Sequence, residues 1–182
     1  MENLYYLVAQ LPAFSVSDDS SSKLPITTEY YKDLCCRFMN EKDSKLAENL
    51  SLVPPKESES TGSTFLDEWY AKERNLRFAL AQVRALKMKK ELKDIPVTAD
   101  GEVVQVARTA TGMDSPLSAE QYLNQYRLSV LDKIAPMNNF STDAVFNYGL
   151  KLMLIERMKK FNKDEGLASY HKIYDEILGE KK

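Results

Sequence analysis

The chain has 182 residues, of which 43% are apolar and 29% charged, with a formal net charge of −2 and a pI near 5.6. That length allows one domain or two small lobes with a real core, without metals or disulfides. The composition excludes a disordered chain, and the slightly acidic balance recommends neither a nucleic-acid nor an anionic-membrane partner, both of which favour basic surfaces.

The opening MENLYYLVAQLP lacks the basic start and unbroken apolar run of a secretory signal. No segment approaches the ~18 consecutive apolar residues of a membrane span. The two cysteines, Cys35 and Cys36, are adjacent, a spacing that rarely bridges. They read as reduced thiols of a cytoplasmic protein, with a vicinal metal or redox pair as the sharper alternative.

Residues 1–11 mix tyrosine, leucine and valine and fit either a short extended segment or a first helical turn. The SVSDDSSS run is a polar loop. Beyond Pro25, Thr27 or Thr28 caps a helix to about Met39, with Tyr30, Tyr31, Leu34, Cys35 and Phe38 at helical spacing. A weaker helix follows around Ser44 to Leu52. Val53 to Ser63 (VPPKESESTGS) is the clearest linker, because two prolines stop a helix and nothing apolar follows them.

The longest predicted element runs from about Thr64 to Leu92, capped by Ser63 or Thr64, with Asp67 and Glu68 in its positively polarised first turn. At ~100° per residue, Phe65, Leu66, Trp69, Leu76, Ala79, Leu80, Val83 and Leu86 share one ~160° sector. A helix of about 28 residues is ~42 Å long, a spine suited to coiled-coil-like pairing. Asp94 to Gly101, with Pro96, breaks it, and Glu102 to Ala110 resumes helix. After the turn GMDSP, Ser118 opens a helix with Gln121 three residues on, a capping-box pattern. Ser141 or Thr142 caps the most apolar helix, to about Phe161. Its Val145, Phe146, Tyr148, Leu150, Leu152, Met153, Leu154 and Ile155 point all round, as in a helix surrounded by others. The last helix, Lys163 to Leu178, is one-sided: Leu167, Tyr170, Ile173, Tyr174, Ile177 and Leu178 share a sector.

His171 is the only histidine, which argues against His-based metal clusters and against Cys-His or Ser-His-Asp chemistry. No GxxxxGK[ST] or GxGxxG loop occurs. The acid pairs, Asp18–Asp19 and Asp67–Glu68, fall in a loop and at a helix start, where solvation or dipole compensation explains them. No catalytic residue, cofactor site or metal site is therefore expected. Glu73, Arg77 and Arg84 share one flank of the long helix, either a solvated edge or a docking edge for an acidic partner. Lys72 falls within the apolar sector, where it snorkels out of the core or marks the place where the helix meets a partner. Tyr5, Tyr6, Phe14, Tyr30 and Tyr31 anchor either an interface or a small core.

Three blocks carry a resemblance: YYLVAQLP (Tyr5–Pro12) with Leu24 and Pro25 after it, EWYAKERNLRFALAQVRALK (Glu68–Lys87), and FSTDAVFNYGLKLMLIERMKKFNKDEG (Phe140–Gly166). In this order they resemble a family of uncharacterised bacterial proteins encoded within V/A-type ATPase operons, and cover about half the chain. The resemblance implies a helical protein in the place of the rotor-stalk adaptor, which joins the rotor shaft to the membrane ring. The chain departs from that pattern by having only the short 53–63 linker where relatives carry a further helical segment.

The sequence thus predicts an all-α fold, with a small N-terminal helical part (1–52), the Pro/Ser/Glu linker (53–63) and a helical bundle (64–182). The implied function is a non-catalytic stalk or assembly component of a rotary ATPase, with the other proteins of that complex as partners. No direct membrane insertion is expected; the protein is cytoplasmic, or peripheral at the inner membrane through its partners. The alternative is a free-standing cytoplasmic adaptor or regulatory homodimer, paired through the long helix. Lys72, Glu73, Arg77 and Arg84 are the candidate partner-binding residues.

Overall fold

The computed structural model describes residues 4–13, 24–56, 60–90, 100–160 and 163–179. Among them are eight helices and no strand: α1 (Leu4–Gln10), α2 (Thr28–Phe38), α3 (Glu41–Glu48), α4 (Thr64–Lys87), α5 (Gly101–Gly112), α6 (Pro116–Lys133), α7 (Thr142–Lys159) and α8 (Lys163–Leu178). The fold is all-α.

Local chemistry sets most helix starts. Thr27, Ser63 and Ser141 cap α2, α4 and α7, their side chains accepting from the backbone N–H of Tyr30, Leu66 and Ala144. Two starts differ from the sequence expectation. Helix α3 begins at Glu41, because Asn40 Oδ1 accepts from Asp43 N at 2.8 Å and caps it there. Helix α6 begins at Pro116, not at Ser118: Ser115 is the cap, accepting from Ser118 N at 3.4 Å. Proline needs no hydrogen-bond partner for a missing N–H at the first helical position. Helix α1 makes Leu4–Gln10 of the opening segment helical.

Helix α4 ends at Lys87. Lys89 takes a left-handed φ of 54°, and Lys90 N bonds Ala85 O at 3.0 Å, a Schellman-type closure. The expected end near Leu92 lies outside the described residues, as does most of the expected break between Asp94 and Gly101. At 24 residues the helix is about 36 Å long.

Two apolar clusters hold the bundle. The larger joins Leu7 of α1 and Tyr31 and Leu34 of α2 to Phe65 and Trp69 of α4, Leu131 of α6 and the inward face of α7. Helix α7 is its axis: Phe146, Leu150, Leu152 and Leu154 are fully buried, and α2, α3, α4 and α6 surround it. Gly149 lets Tyr31 lie against the α7 backbone, where Tyr31 Oη donates to Val145 O at 2.9 Å. The smaller cluster packs Leu76, Ala79 and Leu80 of α4 against Val103, Val106, Ala107 and Ala110 of α5 and Leu123 of α6. Leu86, expected on this apolar face, is 75% exposed.

The described residues of the 53–63 stretch carry no helix, yet hydrogen bonds tie them to α4. Ser60 Oγ donates to Asp67 Oδ2 at 2.6 Å, and Thr61 N and Oγ1 donate to Asp67 Oδ1, each at 2.8 Å. Burial alone raises the Asp67 carboxyl, but these donors outweigh it and hold its pKa below the ordinary 3.8. Arg74 Nη2 donates to Pro55 O at 3.0 Å.

Candidate docking surfaces

The four residues singled out on the long helix do not form one exposed edge. Glu73 is 2% exposed and belongs to the interior. Its Oε2 accepts from Arg127 Nε at 2.9 Å, and its Oε1 accepts from Arg127 Nη2 at 3.1 Å and Arg77 Nε at 2.9 Å. Arg127 Nη1 also donates to Asn124 Oδ1 at 3.0 Å and lies 3.7 Å from Glu120 Oε1. Arg157 Nη2 reaches that same Glu120 oxygen at 2.5 Å. Charged groups from α4, α6 and α7 thus neutralise one another between the helices, and both Glu73 oxygens are engaged. This corrects the expected docking edge at Glu73.

Arg77 is partly exposed and bonded back to Glu73. Lys72 is exposed and lies 3.6 Å from Glu68, so its cation leaves the apolar sector along its own stem. Arg84 is exposed nearer the end of α4. The sequence held a signal for the burial of Glu73 that the flank reading missed. Glu73 lies four residues after Trp69 and three before Leu76, inside the apolar sector itself.

A different surface gathers apolar groups. Val8, Leu11 and Pro12, at the end of α1 and after it, face Ala135, Pro136 and Asn139 of the α6–α7 turn. With Asn147, Tyr148 and Lys151 of α7 they line a groove of about 400 Å³. Tyr148 Oη donates to Pro12 O at 2.8 Å and fixes one wall. Burial pushes the Tyr148 hydroxyl up to about 12, so it stays a donor through neutral pH. Lys151 Nζ pairs with Asp132 at 2.5 Å. Asn147 is buried in this wall, and its Oδ1 has no hydrogen-bond partner. Phe140 follows Asn139, and Tyr5 lies one turn before Val8. Their rings meet at 4.4 Å between centroids although both are exposed. Tyr6 and Met137 are exposed on the same two segments. Of the early aromatics, therefore, Tyr31 is core, while Tyr5, Tyr6 and Tyr30 are not. Phe14 lies outside the described residues.

Helix α8 presents a second apolar face. Leu167, Tyr170, Ile173, Tyr174, Ile177 and Leu178 are each 48–78% exposed, and none of them joins either cluster. His171 is exposed beside Tyr170, with ring centroids 5.7 Å apart. Cys35 is buried and Cys36 exposed. Among the described residues no three His, Cys, Asp or Glu side chains gather where they would hold a metal ion. Nor is any described helix long and apolar enough to cross a membrane.

Fold and surfaces together define an all-α bundle whose buried Glu73 and Arg127 pair with each other, and which exposes apolar side chains beside one groove and along α8, among other places. Residues 108–181, from the second half of α5 through α8, are similar to a family described as a protein of unknown function (DUF2764). No curated protein and no solved structure matches the chain.

Proposed function

We propose that this protein is a non-catalytic docking component of the stalk of a bacterial V/A-type rotary ATPase, working on the cytoplasmic side between rotor shaft and membrane ring. The observation that carries the docking reading is the groove between α1 and α7, flanked by exposed Tyr5, Phe140 and Met137. Exposed aromatics around an apolar slot are the anchors that protein interfaces use, and the Tyr148–Pro12 hydrogen bond holds one wall of this slot in place. The choice of host rests on the three sequence blocks that resemble the ATPase-operon family. One of them supplies α7 and Phe140, and another supplies Tyr5, Val8 and Leu11. The internal pairing of Glu73, Arg127, Glu120 and Arg157 suits a stiff mechanical element, because it uses the buried charges to join three helices.

The test is a reconstituted complex assayed for ATP hydrolysis and ion pumping with and without this chain. Hydrolysis that persists while pumping fails in its absence is the expected outcome, because torque then has no route to the ring. Full pumping without the chain overturns the proposal. The second reading, a free-standing adaptor or regulatory homodimer, is favoured by the bare face of α8.

A further inference from the structure

Helix α8 has 16 residues, and an isolated helix near the ~12–15-residue limit is marginal in water. Its six large apolar side chains are each about half exposed or more, and present roughly 600 Å² of apolar surface at ~200 Å² for a whole large side chain. That stands at the upper end of the ~300–600 Å² typical of the largest patch on a monomer. Such a face is built to be covered.

Its pattern says by what. Leu167, Tyr170, Tyr174 and Ile177 follow one another at spacings of three, four and three, the a/d order of a helix that packs on a helix. The order is also symmetric about residue 172. Turned end for end, the helix sets Leu167 against an isoleucine, Tyr170 against a tyrosine and Gly166 against Leu178. The last match places the residue without a side chain opposite a large one. Tyr170 and Tyr174 are stacked along the face, with centroids 5.9 Å apart and planes 24° apart, so they form one flat aromatic slab at its middle. A face that fits its own reversed copy is what a twofold interface requires, since the same patch serves both sides. Two such faces bury roughly 1,200 Å² together, the lower edge of specific interfaces at ~1,200–2,000 Å².

We propose that α8 is a homodimerisation helix, which pairs antiparallel with α8 of a second copy about an axis near residue 172. The Tyr170–Tyr174 slab stacks on the partner's Tyr174 and the partner's Tyr170, with Leu167 and the partner's Ile177 closing each end. The antiparallel direction also sets the opposed helix dipoles favourably. This inference is separate from the groove and from the choice of host: a dimer through α8 leaves Tyr5 and Phe140 free.

The test uses the full chain in sedimentation velocity over a dilution series, as wild type, Tyr174→Glu and Tyr174→Ala. Circular dichroism of each variant checks that α1–α7 remain folded. The expected result is a wild-type dimer whose dissociation constant rises at least tenfold in Tyr174→Ala and further in Tyr174→Glu. Direction is read in a Cys36→Ala background by mixing Gly166→Cys with Leu178→Cys under mild oxidation. Mixed disulfides between the two variants are expected in preference to Leu178→Cys homodimers. A chain monomeric at all concentrations overturns the proposal. So does a dimer indifferent to Tyr174→Glu, or one that cross-links Leu178→Cys to itself.

Discussion

Replacing Gly149 by alanine tests how closely α2 is seated on α7. An added Cβ would stand 2.5 Å from Tyr31 Cζ and Oη and 2.7 Å from Cε1, where carbon contacts want about 3.5–4.0 Å. The ring must therefore retreat by about 1 Å. It has little room, because Tyr31 is fully buried, lies 6.0 Å from the Tyr148 ring and donates to Val145 O. Overpacking of this kind costs ~1–3 kcal/mol, and straining the hydroxyl bond adds about 1 kcal/mol. Alanine in a helix interior returns about 1 kcal/mol of propensity. The net expectation is a loss of ~1–3 kcal/mol, a fall in Tm of roughly 2–4 °C for each kcal/mol. Urea melts followed by far-UV circular dichroism measure it. The sign should reverse in a Tyr31→Ala background, where the added methyl meets no ring and only the propensity gain remains. A neutral or stabilising Gly149→Ala in the wild type, or the same loss in both backgrounds, refutes the reasoning.

Arg127→Met should destabilise by about 3–5 kcal/mol, because it leaves the buried Glu73 carboxylate facing Arg77 alone. Glu73→Leu with Arg127→Met should recover most of that loss in a double-mutant cycle, and additive single losses would contradict the pairing. Alkaline pH should unfold the protein in a defined window. Burial pushes the Cys35 thiol from 9.0 up to about 11 and the Tyr148 hydroxyl from 10.0 up to about 12. A folded-state pKa raised in this way gives stability that is complete below the ordinary value and lost as pH climbs to the raised one. Tm should therefore decline from pH 9.0 upward, and Cys35→Ala should flatten the part between 9.0 and about 11. Lys89→Gly should raise stability by ~0.5–1 kcal/mol, since lysine holds a left-handed φ of 54° there that glycine adopts freely. An unchanged or lower Tm in that variant would count against the Schellman closure.

Helices whose start is an adjacent pair of Ser/Thr caps before a clear apolar period, α2, α4 and α7, were legible in the sequence to within one residue, the first of each pair being the cap. The starts of α3 and α6 were placed three residues late, because polar first turns carry no apolar period to mark the true cap ahead of Ser44 and Ser118. Asn40 caps α3, and Ser115, ahead of Pro116, caps α6. The all-round apolarity of α7 read correctly as centrality, since α2, α3, α4 and α6 enclose it. Glu73 was misread because its i,i+4 partner Arg77 is visible locally, while the decisive partner, Arg127, lies 54 residues away. The groove could not be read from spacing, since it forms only where α1 crosses the α6–α7 turn. The one-sidedness of α8 was plain, but amphipathicity alone cannot say whether a face meets its own bundle or a second molecule.

The most direct test of the docking account is affinity capture from native membranes, with wild-type protein and a Tyr5→Ala/Phe140→Ala variant side by side. Both side chains are exposed, so the variant should retain the wild-type circular dichroism spectrum. The account expects stalk proteins of the rotary ATPase to co-purify with the wild type and to be largely lost with the variant. Wild-type capture free of those proteins, or equal capture by both baits, would contradict it.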